Sequence, residues 1–339
     1  MMNISRTTSQ ENIRDYSLDN IRFFLILAVV FAHLLEVCSP FAGQWTIYKV
    51  IYTFHMPAFI FLFGYNVTYS PKRIIFRWAI PYVIFQSLYI IFTQYVLNTD
   101  MAFQYTTPYW LLWYMLACIF YQLLLPLFDT TNKRRQIVIL ICAIIIALLV
   151  GYEETVGYYM SLSRFFVFQP WFILGYYFKK NRTLETLLLY WKTRFAIVVI
   201  SIVIIVLSVP YLMKPNVQNG LLFGSFSYAG CGATVWMRAT VLLISLCWIF
   251  FLFMGIKSYI NKKIFFITAI GQNTWSVFLL HGFFVKAIPV FCPELLLSPY
   301  KVILTTCAIL LLLGNKIVNR LVYYICFSWL EKLFKNDIN

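Results

Sequence analysis

Long apolar runs, broken by short polar connections, occupy almost the whole chain. A helix that crosses a membrane needs about 20 such residues. On that measure the pattern predicts crossing helices at approximately 21–38, 47–68, 74–96, 109–128, 136–151, 159–178, 195–213, 237–256, 264–287 and 301–325. The fifth and seventh are nearly featureless stretches of Ile, Val and Leu, and read as scaffold that faces lipid. The expected fold is all-α, a polytopic membrane protein of about ten transmembrane helices. Polar tails at 1–20 and 326–339 flank a membrane domain at 21–325.

Composition strengthens this reading. Hydrophobic residues make up 62% of the chain and charged residues 12%, where a soluble domain carries about a quarter charged residues. The net charge of +15 does not point to nucleic acid, because the pattern leaves no soluble basic face. In a membrane protein such an excess marks the cytoplasmic loops. Lys72, Arg73 and Arg77 follow the second run, and Lys133, Arg134 and Arg135 follow the fourth. Lys179, Lys180, Arg182, Lys192 and Arg194 follow the sixth; Lys257, Lys262 and Lys263 follow the eighth. Lys316, Arg320, Lys332 and Lys335 close the chain. With Arg6, Arg14 and Arg22, these account for 21 of the 27 basic residues, while Asp100, Glu153, Glu154 and Glu294 fall on the other side. Both termini are therefore expected in the cytoplasm. No cleavable leader is expected ahead of the first run. The eight cysteines show no paired spacing, so no metal is expected. Cys231 and Cys292 fall in expected outer loops, where a pairing between them is open.

The chain has three histidines, His33, His55 and His281, each inside an apolar run. Ionisable groups at lipid depth mark functional sites by default. Helical rise puts His33 and His55 roughly 18 Å, and His281 roughly 25 Å, from the cytoplasmic edge. One polar cavity can hold all three. Along the first run, Arg22 and His33 lie 11 residues apart and share a helix face. Asp19 and Glu36 sit three residues from Arg22 and His33, again on that face. A carboxylate beside an imidazole orients the ring and stabilises its protonated form, the logic of a base with its orienting partner.

The stretch RDYSLDNIRFFLILAVVFAHLLE at 14–36 resembles the opening of the membrane-bound acyltransferase 3 family, where a basic residue precedes a histidine by this interval. FHMPAFIFLFGY at 54–65, WLLWYM at 110–115, RFFVFQPWFILGYY at 164–177 and GQNTWSVFLLH at 271–281 continue the resemblance in order. The resemblance implies transfer of an acyl group, usually acetyl, from cytoplasmic acyl-CoA to a sugar hydroxyl of an extracytoplasmic polysaccharide or envelope glycan. It implies that His33 is catalytic and that Arg22 contacts coenzyme A. The motifs around the histidines look most like those of bacterial glycan O-acetyltransferases, which places the protein in the bacterial cytoplasmic membrane. Acetyl-CoA is then a donor substrate and no permanently bound cofactor is expected; glycan-assembly proteins are natural partners. Some members carry an added extracytoplasmic domain, which the short tail after the last run does not lead one to expect here.

Chemistry extends the candidate site. Guanidinium groups suit phosphates through paired hydrogen bonds, which makes Arg73 and Arg77 donor-binding candidates beside Arg22. Glu36 is assigned with His33 to catalysis. His33 acts either as a base or as a carrier of the acyl group. His55 and His281 are candidates for binding the acceptor or stabilising an oxyanion. Arg164 and Arg238 carry positive charge near outer helix ends, to meet an anionic acceptor or to neutralise Glu36, Glu153 or Glu154. Gln272 and Asn273 can bend the ninth run, with Asn273 taken as a cavity residue. Trp113 is the aromatic candidate among Trp45, Trp110, Trp171 and Trp236. The glycine-bearing segment 214–236 suits either a mobile or re-entrant cover over the outer cavity or an ordinary flexible loop. A proton-coupled transporter or exporter is the alternative, since buried histidines and carboxylates also build proton relays.

Overall fold

A computed structural model describes residues 16–183, 186–187, 190–256 and 260–333. Arg6, Arg14, Lys257 and Lys335 of the charge pattern lie outside the described residues. Every described regular element is helical. We number the main helices α1 (Ser17–Leu35), α2 (Gln44–Asn66), α3 (Pro71–Tyr95), α4 (Trp113–Phe128), α5 (Lys133–Leu149) and α6 (Leu162–Lys180). They continue with α7 (Trp191–Leu212), α8 (Val235–Phe250), α9 (Phe265–Gln272), α10 (Thr274–Phe291), α11 (Pro299–Leu313) and α12 (Lys316–Leu333).

Among the described residues, seven helices are long and apolar enough to cross a membrane: α1, α2, α3, α5, α7, α8 and α10. The pair α11–α12 makes an eighth if it counts as one bent span. Length and apolarity thus support seven or eight crossings where the run pattern predicts ten. The two other predicted spans are helices of a different kind. Helix α4 is short, and α6 carries Arg164, Lys179 and Lys180.

Two predicted spans are broken. The ninth splits at Asn273 into α9 and α10. Asn273 donates its side-chain amide to Ala269 O at 2.7 Å, and Ser276 Oγ donates to Asn273 O at 2.8 Å. These bonds satisfy backbone oxygens that a helix end leaves free. The tenth bends by 62° after Leu313. Gly314 packs tightly against Ile270, and Asn315 Oδ1 accepts from the backbone N–H groups of Ile317 and Val318, at 3.0 Å each. A polar side chain that caps a new helix start favours a break over a continuous helix.

Helix α1 lies at the centre, packed against α2, α9, α10 and α11. Of its most apolar stretch 61% is buried, against 22% for α5 and for α7. Ile137, Ile141, Ile145, Ile200, Val203 and Leu207 stand exposed on those two helices, as the featureless fifth and seventh runs suggest. The tightest pairing is α2 with α6. Gly64 meets the Phe172 carbonyl and Gly175 meets the Phe61 carbonyl, so a Cβ on either glycine would strike the facing backbone. Small residues that let backbones approach are a common way to pack helices in a membrane. This crossing fixes where α2 carries His55 relative to the Arg164 end of α6.

Candidate active site

One cavity of about 610 Å³ runs through the helices packed around α1. At one end it is lined by Arg22, Arg73, Arg77, Asn66 and Thr68. At the other it is lined by Glu36, Tyr52, Trp110, Tyr158, Arg164 and Phe223. His33, His55 and His281 all line it between. Helix α1 supplies both ends, because Arg22 sits in its second turn and Glu36 just past its last residue.

The stripe predicted on α1 forms two close pairs. Arg22 Nη1 lies 2.7 Å from Asp19 Oδ1, and Gln272 donates to the second Asp19 oxygen at 3.1 Å. His33 Nδ1 lies 3.5 Å from Glu36 Oε1. That Glu36 oxygen also accepts from Tyr48 at 2.8 Å and from Tyr52 at 2.5 Å. Tyr48 and Tyr52 are one turn apart on α2, and their rings lie 4.3 Å apart. Two hydroxyl donors and one imidazole thus converge on a single carboxylate oxygen. The charged form of Glu36 is the one that accepts from both tyrosines and faces the ring.

The other two histidines are tied at Nδ1 to their own helices. His55 Nδ1 lies 2.8 Å from Ile51 O. His281 Nδ1 lies 2.8 Å from Val277 O and 3.0 Å from Phe278 O. A carbonyl can only accept, so each of these nitrogens carries the proton. In the neutral ring this leaves Nε2 as an acceptor. Nε2 of His281 is buried and meets no protein donor among the described residues. The His33 and His281 rings stack with centroids 5.6 Å apart, and Trp110 meets His33 edge-on at 4.4 Å. The Tyr52 ring contacts His55 at 4.7 Å and Phe223 at 5.1 Å.

Trp110 adopts φ +26°, a region that non-glycine residues rarely occupy. Such backbone persists only where packing over-determines it. Lys286 Nζ lies 4.7 Å from the Trp110 ring, so the indole is held between a cation and an imidazole.

Segment 214–236 folds back toward the cavity, the first of the two forms that its glycines allow. Its short helix Asn219–Phe223 brings Leu222 and Phe223 into the wall. Gly224 ends that helix at φ +67°, a conformation that favours glycine. Ser163 donates to Gly224 O at 2.8 Å, and Arg164 Nε donates to Phe223 O at 3.2 Å. The start of α6 therefore clasps the re-entrant segment.

Several expectations change here. Arg164 and Arg238 do not neutralise Glu36, Glu153 or Glu154; their partners are neutral. Arg238 donates to Phe226 O, packs against Tyr228 and does not line the cavity. Asn273 does not line it either; its work is the helix break. Trp113 does, with the Arg164 guanidinium 5.1 Å from its ring. Trp45, Trp171 and Trp236 do not. Arg77 lines the opposite end and packs 5.3 Å over Trp275. All eight cysteines are free, and the Cys231 thiol faces Ser227 O, so Cys231 and Cys292 form no bridge. Residue patterns passed over Tyr48, Tyr52 and Lys286. The tyrosines were findable, since they precede His55 by seven and three residues, on its helix face.

The order of motifs and the helical fold agree with one further observation. The family model described as an acyltransferase domain matches residues 15–314. The chain belongs to the acyltransferase 3 family. No curated protein and no solved structure matches it. The match takes in α1 to α11 and every residue of the cavity wall. An acyltransferase with several membrane-length helices is a multi-pass membrane enzyme.

Proposed function

We propose that this protein is an O-acyltransferase of the bacterial cytoplasmic membrane. It moves an acyl group, acetyl in the simplest case, from cytoplasmic acyl-CoA to a sugar hydroxyl of an extracytoplasmic glycan. One observation carries this reading: a single cavity joins Arg22, Arg73 and Arg77 at one end to His33 and Glu36 toward the other. The basic end suits the phosphates of coenzyme A, and the charge pattern assigns that end to the cytoplasm. The pantetheine arm would then bring the thioester to His33, with the acceptor arriving from the opposite mouth.

His33 presents Nδ1 to Glu36. With Nδ1 as donor, Nε2 is the basic nitrogen. It takes the proton of the acceptor hydroxyl as that oxygen attacks the thioester carbon. The C–S bond then breaks, and the proton passes to the departing thiolate. Glu36 holds the ring in this tautomer and stabilises the imidazolium that forms. Tyr48 and Tyr52 hold Glu36. The test is His33→Ala in cells whose surface glycans are analysed by mass spectrometry. Loss of O-acetyl groups with normal membrane abundance is expected. Full acetylation in that variant removes the central role of His33.

A further inference from the structure

Arg164 is a buried cation without a carboxylate. It is 9% exposed, lines the cavity and forms no ion pair among the described residues. Its guanidinium donates to Phe223 O and, at 3.3 Å, to Ser225 Oγ, both neutral. The rings of Trp113 and Tyr158 lie 5.1 and 5.2 Å from it. Neutral acceptors and aromatic rings hold a guanidinium in place and leave its charge uncancelled. A charge taken out of water is costly unless paired, so a fold that keeps one on a cavity wall has a use for it.

Among the described residues, no acid is placed to answer. Glu36 is the one carboxylate on the cavity wall among the described residues, and its bonded oxygen already meets Tyr48, Tyr52 and His33. Lys286, which packs on Trp110, also makes no ion pair among the described residues. Two cations thus flank the aromatic cluster around His33, away from the Arg22 end. Arg164 is linked to that cluster directly, because the Phe223 it bonds packs on Tyr52. An anion on Arg164 would sit beside the acceptor side of His33. Nε2 of His281 is a further buried acceptor on the same wall, suited to a hydroxyl.

We infer that Arg164 binds the acid group of the acceptor, so that the enzyme selects a sugar carrying a carboxylate or a phosphate over a neutral one. The inference rests on the acyltransferase reading above and narrows its acceptor class. The planar guanidinium suits either group through paired hydrogen bonds. A lipid headgroup is the other source of phosphate, but the burial of Arg164 and the clasp on Phe223 favour a sugar admitted into the cavity.

The full chain in non-ionic detergent is titrated calorimetrically with methyl glucuronide, methyl glucoside 6-phosphate and neutral methyl glucoside. Release of CoA from acetyl-CoA is followed with each sugar. At least one acidic sugar is expected to bind about tenfold tighter than the neutral one. Arg164→Gln should erase the difference and Arg164→Lys should keep part of it. Equal binding of all three sugars by the wild type overturns the inference, and so does a preference that survives Arg164→Gln. Loss of the preference on adding phosphatidylglycerol shows that a lipid headgroup meets the arginine, and also overturns it. The wild-type comparison stands even if a variant fails to fold. CoA release at equal rates with equal binding sinks the acidic acceptor but keeps the acyltransferase. Acid-selective binding without CoA release from any sugar does the reverse.

Discussion

Tyr52 donates its hydroxyl hydrogen, at 2.5 Å, to the same Glu36 oxygen that faces His33. The base of the proposed reaction is therefore held from α2 as well as from its own helix. A carboxylate shared in this way orients the ring only while it keeps its charge and place. Glu36→Gln should lower kcat about a hundredfold, with little change in KM for acyl-CoA. Tyr52→Phe should cost about tenfold, and the double change with Tyr48→Phe more than Tyr52→Phe alone. Steady-state kinetics in detergent give the split. A fall confined to KM would show that these groups bind the donor instead.

In the proposed reaction Arg22 meets the donor while paired with Asp19. Arg22→Gln should raise KM for acetyl-CoA about tenfold and leave KM for the sugar unchanged. The defect should grow smaller with dephospho-CoA substrates, which carry less charge for the arginine to meet. An equal loss for the full and the dephospho donor would place Arg22 in structure alone.

The α2–α6 crossing has no room for a methyl group at Gly64 or Gly175, because backbone carbonyls stand there. Gly64→Ala or Gly175→Ala should destabilise the fold by about 1–3 kcal/mol. Thermal unfolding followed by fluorescence-detected gel filtration reads this directly. Gly43, with nothing near its Cβ position but φ +83°, should be sensitive only through its backbone.

Trp110 combines a positive φ with contacts to His33 and Lys286. Trp110→Ala should reduce turnover strongly and also cost stability, since the truncation removes ring packing that holds the unusual backbone in place. Wild-type turnover in a folded Trp110→Ala would show that the indole does not position His33.

Much of this protein could be read from its pattern. Apolar runs of membrane length predicted the helices, since burying backbone in lipid leaves few other solutions. The Arg22–His33 interval and its flanking acids predicted one helix face, because 3.6 residues per turn is enough to place them. The breaks were less legible. Asn273 stood out as a bend, but the turn after Leu313 did not, because a Gly-Asn pair reads as helix end only when its neighbours are seen to pack there.

What the linear order determined was which groups share a helix. It could not decide which helices meet. His33, His55 and His281 come from α1, α2 and α10, and only the packing of those helices brings them to one cavity. The partners of Glu36 come from α2, and Arg164 finds neutral groups in a folded-back loop rather than the acids its charge suggested. Periodicity acts over one turn of one helix, whereas these contacts depend on how backbones cross, through glycines such as Gly64 and Gly175. The sequence determined the helices and the stripe on α1; tertiary structure decided who holds Glu36 and which cations meet only neutral groups, because side-chain contact between helices is set by their crossing and not by their order.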